Sequence, residues 1–564
     1  MLLLVCFIFF ITFSCALAGR FIHSVFFPSR EVDLDILTPQ LINGLIFFSI
    51  IAQICCLFFP VDIKLLLLID FLLLFYFLTK KYYIHDLFFF IKNYISKFHT
   101  HHLILLGAII LLVILYGAGP INMDDTESYH LQMVKWIHSF GTVPGIANLH
   151  ERYGFNSAWF SLIALFTPSE SNFNTYTALN ASISCWLVLF IVEKLIDSEK
   201  NDSKQFALSF LVILFISVIC WPLIRGNAGN TNYDFIGTLL IFILFIQFGT
   251  NSKTDEIYYK LEWIIWSAFL FTVRITNYPL ILLGIWFIFS LIQLKKRKEV
   301  ITSLFNCLLL FIPFIVRNYL VSGYPFYPST VFSFNTPDWS VPLNKIDTLR
   351  HFIKYFNRIN TMHQPLEITA AMYFPKWIPA WFNYLFSYDK PIVLIGIIGI
   401  TIWMFSTKEM KSFSILQSNI VKFTMGVHFI SWFCIAPDPR FIYGALLFGS
   451  FCLIVFISTK IRIKSIFQSF SRIIQLFGLL CFLFFCYSLN KHPDLRNYFT
   501  PLSVKKPPIN TVFINGSTYY IPQKLKENWN IRCIESPLPC IYTKDSLLTQ
   551  RGESIKSGFK IKTK

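Results

Sequence analysis

Long apolar runs separated by short polar intervals dominate this chain from end to end. A bilayer core about 30 Å thick takes roughly 20 apolar residues per crossing helix. Runs of that grade recur at about 1–18, 40–59, 61–79, 103–118, 174–195, 205–224, 232–249, 261–276, 278–294, 301–320, 390–406, 419–436, 441–458 and 470–489. The pattern predicts an all-α polytopic membrane protein with about 14 transmembrane helices. The first run, MLLLVCFIFFITFSCALA, ends in small residues as a signal peptide does. It lacks a basic leading segment, so an uncleaved first helix is expected.

The polar intervals are of two kinds. One kind is basic: Lys80, Lys81, Lys92 and Lys97; Lys194, Lys200 and Lys204; Lys295, Lys296, Arg297 and Lys298; Lys408 and Lys411; Lys460, Arg462 and Lys464. Short basic loops stay on the cytoplasmic side of a membrane. The other kind is long, aromatic and rich in turn residues, at 119–173 and 321–388, and alternation puts both outside together with the polar tail. The chain then divides into 1–102, N-terminal helices with a basic cytoplasmic segment; 103–489, a transmembrane core carrying the two outer loops; and 490–564, an extracytoplasmic tail or small domain.

Within the first outer loop, TESYHLQMVKWIHS sets Tyr129, Met133, Trp136 and Ile137 on one helical face. That predicts an amphipathic helix lying on the membrane. NSAWFSLIALFT, 156–167, is too short to cross and predicts a half-helix at the outer surface.

Composition narrows the class further. The chain has 564 residues, is 55% hydrophobic and only 14% charged, which excludes an ordinary soluble globule. A net charge of +17 would suit nucleic acid, but the lysines gather in the predicted inner loops, so no nucleic-acid partner is expected. Of 13 cysteines, all but Cys533 and Cys540 sit in apolar sequence as small hydrophobes, and no CxxC occurs. Cys533 and Cys540 can pair if the tail faces an oxidising compartment.

Candidate chemistry gathers at Asp124 and Asp125, adjacent carboxylates at the edge of the fourth run. Three readings compete. Asp125 stands where a carboxylate caps the following helix. A carboxylate there can instead act as general base on an acceptor hydroxyl. Asp124 and Asp125 can also hold a divalent metal, although a pair alone does not define the site. Arg225, Arg274, Arg317 and Arg440 fall on the same predicted side, where a guanidinium either snorkels to headgroups or binds a lipid phosphate. His130, Asn148, His150 and Asp234 are candidates for an acceptor site or cavity; the two histidines alone make no metal set.

MDDTESYH followed by KWIHSFGTVPGIANLH, with the late PDPRFIYGALLF, resembles the GT-C class of membrane glycosyltransferases. The pattern DD…YH…VPG.ANLH…GFNS.WF, with RN…GYPFYPS and PDPRF, looks closer still to a bacterial multi-pass family with no assigned substrate. The likeness spans roughly 103–460, and the prolines of the GT-C surface half-helix are missing from FNSAWFSLIALF. The resemblance implies an enzyme of the inner membrane that moves a sugar from a polyprenyl-phosphate donor to a glycan, lipid or protein outside. It gives Asp124 or Asp125 the role of base, and Arg440, with Arg317 and Arg274, the donor phosphate. It calls for no nucleotide; a divalent metal at the aspartates stays open. The alternatives are an O-antigen-type polymerase or ligase, and a lipid or glycan flippase, for which Asp70 is the one intramembrane charge found.

Overall fold

The computed structural model describes residues 1–26, 37–79, 94–169, 175–250, 257–333, 336–359, 364–405, 418–460, 470–491, 507–523 and 532–562. Lys80, Lys81, Lys92, Lys408, Lys411, Arg462 and Lys464, which carry part of the inside assignment, lie outside those residues. Among the described residues helix accounts for 73% and strands are few, consistent with the all-α class.

The first helices are α1 (Leu2–Phe26), α2 (Thr38–Cys55), α3 (Ile63–Thr79) and α4 (Thr100–Ala118). The first loop carries α5 (Leu131–Phe140) and α6 (Ala158–Phe166). Next come α7 (Ala178–Lys200), α8 (Lys204–Ile219), α9 (Asp234–Thr250), α10 (Ile257–Val273), α11 (Ile281–Gln293) and α12 (Arg297–Ser322). The second loop carries α13 (Leu343–Phe356), α14 (Leu366–Ala371) and α15 (Trp377–Tyr384). The bundle ends with α16 (Asp389–Phe405), α17 (Ser418–Ile435), α18 (Tyr443–Lys460) and α19 (Phe470–Lys491).

A helix lies over every predicted apolar run. Among the described residues, 8 helical segments are both long and apolar enough to cross a bilayer, so the protein is membrane-embedded. The others are shorter, and the count of crossings established by length is therefore below the count of apolar runs.

Exposure follows the lipid. On α3, Leu66, Leu73 and Phe77 pack inward while Leu67, Leu68, Phe71, Phe75 and Leu78 stay exposed, as side chains solvated by hydrocarbon do. Where two helices must approach closely, small residues allow it: a Cβ on Gly399 of α16 would meet the carbonyl of Gly449 of α18 at 1.8 Å.

Two expectations for the first loop are corrected. The helix α5 does not lie on the membrane. Leu131, Met133, Val134, Trp136, Ile137 and even Gln132 and His138 are buried. The tail covers its polar side: Gln132 donates to the carbonyls of Ile534 (2.9 Å) and Ser536 (3.1 Å), and Lys135 to that of Ser536 (3.0 Å). The helix α6 is no surface half-helix either, because all its residues are buried. Its one polar side chain, Ser161, donates back to the Ala158 carbonyl, so the helix has no polar side to offer water.

The tail is an ordered unit. Strands β1 (Ile509–Ile514) and β2 (Ser517–Pro522) form a hairpin around Asn515–Gly516, both at positive φ as such a tight turn requires. Strands β3 (Leu548–Gln550) and β4 (Phe559–Ile561) pair beside it, and Cys533 and Cys540 are joined in a disulfide. The tail docks on the same end of the bundle as both long loops. Phe559 N–H donates to Pro144 O (3.0 Å), Lys345 pairs with Asp545 (2.8 Å), and Arg551 with Asp338 (2.9 Å).

Candidate functional site

Beyond α4 the chain leaves helical geometry at Gly119 and is held by Asn230, whose side chain accepts from Asn122 N–H (3.3 Å) and Met123 N–H (3.2 Å). A single π-helical turn, Thr126–His130, follows the aspartates. Such wide turns are frequent at functional sites. The loop before α9 laces onto it. Thr231 N–H donates to Thr126 Oγ1 (3.2 Å), Thr231 Oγ1 meets His130 Nδ1 (3.2 Å), and the Tyr129 and Tyr233 hydroxyls share a hydrogen bond (3.1 Å).

Asp125 does not cap this turn, since its carboxylate accepts no backbone N–H there. It faces guanidiniums instead: Arg440 at 2.9 Å and Arg152 at 3.4 Å. Asp124 points to Arg532 at 2.9 Å, with Arg152 at 3.9 Å. Arg532 also pairs with Glu127. Arg274 pairs with Asp234 and lies over the Phe441 ring at 3.4 Å. Arg440 Nε is 3.0 Å from Asp438 and 3.8 Å from Asp234. The result is one network in which Asp124, Asp125, Glu127, Asp234 and Asp438 alternate with Arg152, Arg274, Arg440 and Arg532.

Burial alone would raise the Asp125 carboxyl, but Arg440 and Arg152 outweigh it and hold the group down at about 2. Burial lowers His130 to about 3 despite the neighbouring Asp125 charge, so this imidazole is neutral, and its Nε2 has no hydrogen-bond partner. Asp124 is the more open of the pair, its side chain 32% exposed against 22% for Asp125.

The structure thus brings Asp124, Asp125, His130, Asp234, Arg274 and Arg440 together. Arg317 is elsewhere. It is buried on α12 and donates to Asn156 Oδ1 at 2.5 Å, and no contact among the described residues joins it to the aspartates. Asn148 is a clamp between segments, donating to the carbonyls of Trp339 (2.8 Å) and Phe559 (3.3 Å). His150 caps the short turn at Glu151–Gly154 by accepting Arg152 N–H (3.0 Å), and its ring lies 4.0 Å from that of Tyr542. Its place is behind Arg152 rather than in the network. As for a metal at Asp124 and Asp125, both carboxylates face arginines that compete with any cation.

Sequence reasoning missed Arg152, Arg532, Glu127 and Asp438. Asp438 stands inside the PDPRF motif and Arg152 beside His150, so both had local signals. Arg532 had none, being 405 residues from its partner Glu127.

The arrangement can hold an anion and move a proton. Each arginine presents five N–H donors, so pairing with a carboxylate leaves capacity for phosphate oxygens. The more exposed carboxylate, Asp124, supplies a proton acceptor.

Among known proteins, neither a curated protein nor a solved structure matches the chain. Residues 1–447 match a family model described as Domain of unknown function (DUF8201), a match that starts with α1 and takes in the network except Arg532. With most of its length inside that model, the chain belongs to this family.

Proposed function

We propose that the protein is a bacterial inner-membrane glycosyltransferase that moves a sugar from a polyprenyl-phosphate donor to an acceptor on the extracytoplasmic side. The observation that carries the reading is the contact of Asp125 with Arg440, 2.9 Å apart in space and 315 residues apart in sequence. It unites the acidic first loop with the late arginine motif on which the GT-C resemblance rests.

In this reading Asp124 is the base. It takes the acceptor hydroxyl proton as that oxygen bonds to the sugar anomeric carbon, and the carbon–oxygen bond to the lipid phosphate breaks with its electron pair on the phosphate. Arg440 and Arg274 receive the charge that develops there. Asp125, ionised and held by Arg440 and Arg152, orients rather than accepts. Asp234 fixes Arg274, and Arg152 and Arg532 aim Asp124. The outward orientation is supported by the lysine distribution and by the Cys533–Cys540 disulfide.

The test is a comparison of surface glycans by mass spectrometry in a deletion strain, Asp124→Asn and Asp125→Asn. Removing a general base costs about 10²–10⁴-fold in rate, so Asp124→Asn is expected to reproduce the deletion profile. Unchanged glycans in both variants, where deletion alters them, would sink the proposal. Lipid-linked precursor accumulating in the cytoplasmic leaflet would favour a flippase, for which the buried Asp70, bonded to Ser14 at 2.6 Å, is the relevant charge.

A further inference from the structure

The N-terminal end of α4 carries a group that the proposed transfer does not use. Ala118 leads towards Asp124, and the helix spans 19 residues. Its N-terminus is therefore about 28 Å along the axis from the acidic network, at a rise of about 1.5 Å per residue. The sequence there is His99-Thr100-His101-His102. Glu199, near the C-terminal end of the neighbouring α7, faces it.

His102 is fully buried, and neither ring nitrogen has a hydrogen-bond partner. That is costly for a buried imidazole, which ordinarily engages at least one nitrogen. Its Nε2 stands 3.1 Å from Glu199 Oε2 without hydrogen-bond geometry. One ligand atom from each of His101, His102 and Glu199 lies within 4.8 Å of the others. Ligand atoms about 2.0–2.2 Å from a shared tetrahedral ion stand roughly 3.3 Å apart. The His102–Glu199 separation already fits, and a small turn of His101 completes the set. The His99 ring, 5.6 Å from that of His101 and 5.8 Å from that of His102, is within reach of a fourth position.

We propose that His101, His102 and Glu199 bind one divalent transition-metal ion, with His99 or water as fourth ligand, tying α4 to α7 at the end of the bundle opposite the acidic network. Imidazoles with one carboxylate suit Zn²⁺, Co²⁺, Ni²⁺ or Cu²⁺ rather than Mg²⁺ or Ca²⁺. The site is independent of the transfer reaction and stands whether or not that reading holds.

The experiment is Co²⁺ titration of full-length protein, purified in detergent through a tag without histidine and stripped with chelator. Uptake of one Co²⁺ per chain is expected, with the visible absorption of a four-coordinate ion displaced by Zn²⁺. His101→Ala and Glu199→Gln, both at partly exposed positions, should each weaken uptake at least tenfold while eluting as folded protein. Asp124→Asn should bind as wild type. Sub-stoichiometric uptake, uptake unchanged in both site variants, or loss only in Asp124→Asn would overturn the assignment. A mere His102–Glu199 ion pair would show as chelator-insensitive stability with no uptake.

Discussion

Asp124 and Asp125 are neighbours in sequence with different surroundings. Asp125 is locked between Arg440 and Arg152 and held at about 2, below its ordinary 3.8. A carboxyl lowered on folding stabilises the native state above its unfolded value, and that contribution disappears as pH falls through the folded one. The stabilisation is about 2 kcal/mol and is lost between about pH 4 and about pH 2. Asp125→Asn is expected to flatten this acid limb in thermal melts of detergent-solubilised protein; parallel limbs in variant and wild type would contradict it. His130, lowered from 6.5 to about 3, acts in a higher window. The unfolded chain gains a proton near 6.5 that the folded one refuses, so stability begins to fall below that pH. His130→Gln should remove this earlier decline while leaving the Asp125 limb, a separation read in the same melts.

At the scale of elements, the tail clamps the first loop. The disulfide-closed segment offers Ile534 N–H to Glu127 O (2.9 Å) and takes donors from Gln132 and Lys135, while Tyr542 donates to Ser128 O. Gly145 is the close-approach point at the other end. At φ +68° it leaves space that a Cβ would fill 2.0 Å from the Phe559 carbonyl. Gly145→Val is expected to cost about 1–3 kcal/mol and, like Cys533→Ser with Cys540→Ser, to open the tail to limited proteolysis. Tails as protected as in wild type would mean that docking rests elsewhere. The misplacement of α5 in the sequence has the same origin. Its amphipathic face was legible, but Gln132 and Lys135 meet protein carbonyls instead of water, and a polar face reads alike for either partner. The helix α6 misled differently: a short apolar stretch carries no mark of what covers it.

For the whole molecule, the spacing of apolar runs forecast the helices because backbone polar groups in hydrocarbon leave few other choices. The expected sidedness rests on the basic loops. Impermeant maleimide is expected to label a cysteine at Gly516 of the β1–β2 turn on intact cells and one at Lys296, between α11 and α12, only after permeabilisation. Labelling of both from one side would overturn the topology. A third of the network could be read from local motifs, because Asp124, Asp125 and Arg440 announce themselves in MDDTESYH and PDPRF. Arg532 could not, since its pairing with Asp124 and Glu127 exists only once the ends of the fold meet.

That meeting sets a timetable for biosynthesis. Translation delivers the aspartates hundreds of residues before Arg532, and the late guanidinium reaches them only once the tail has been made and seated against the first loop. A nascent chain still on the ribosome therefore carries the acidic loop without its last counter-charge. A nonsense mutation between the last helix and Arg532 would leave that loop unfinished however well the helices had inserted.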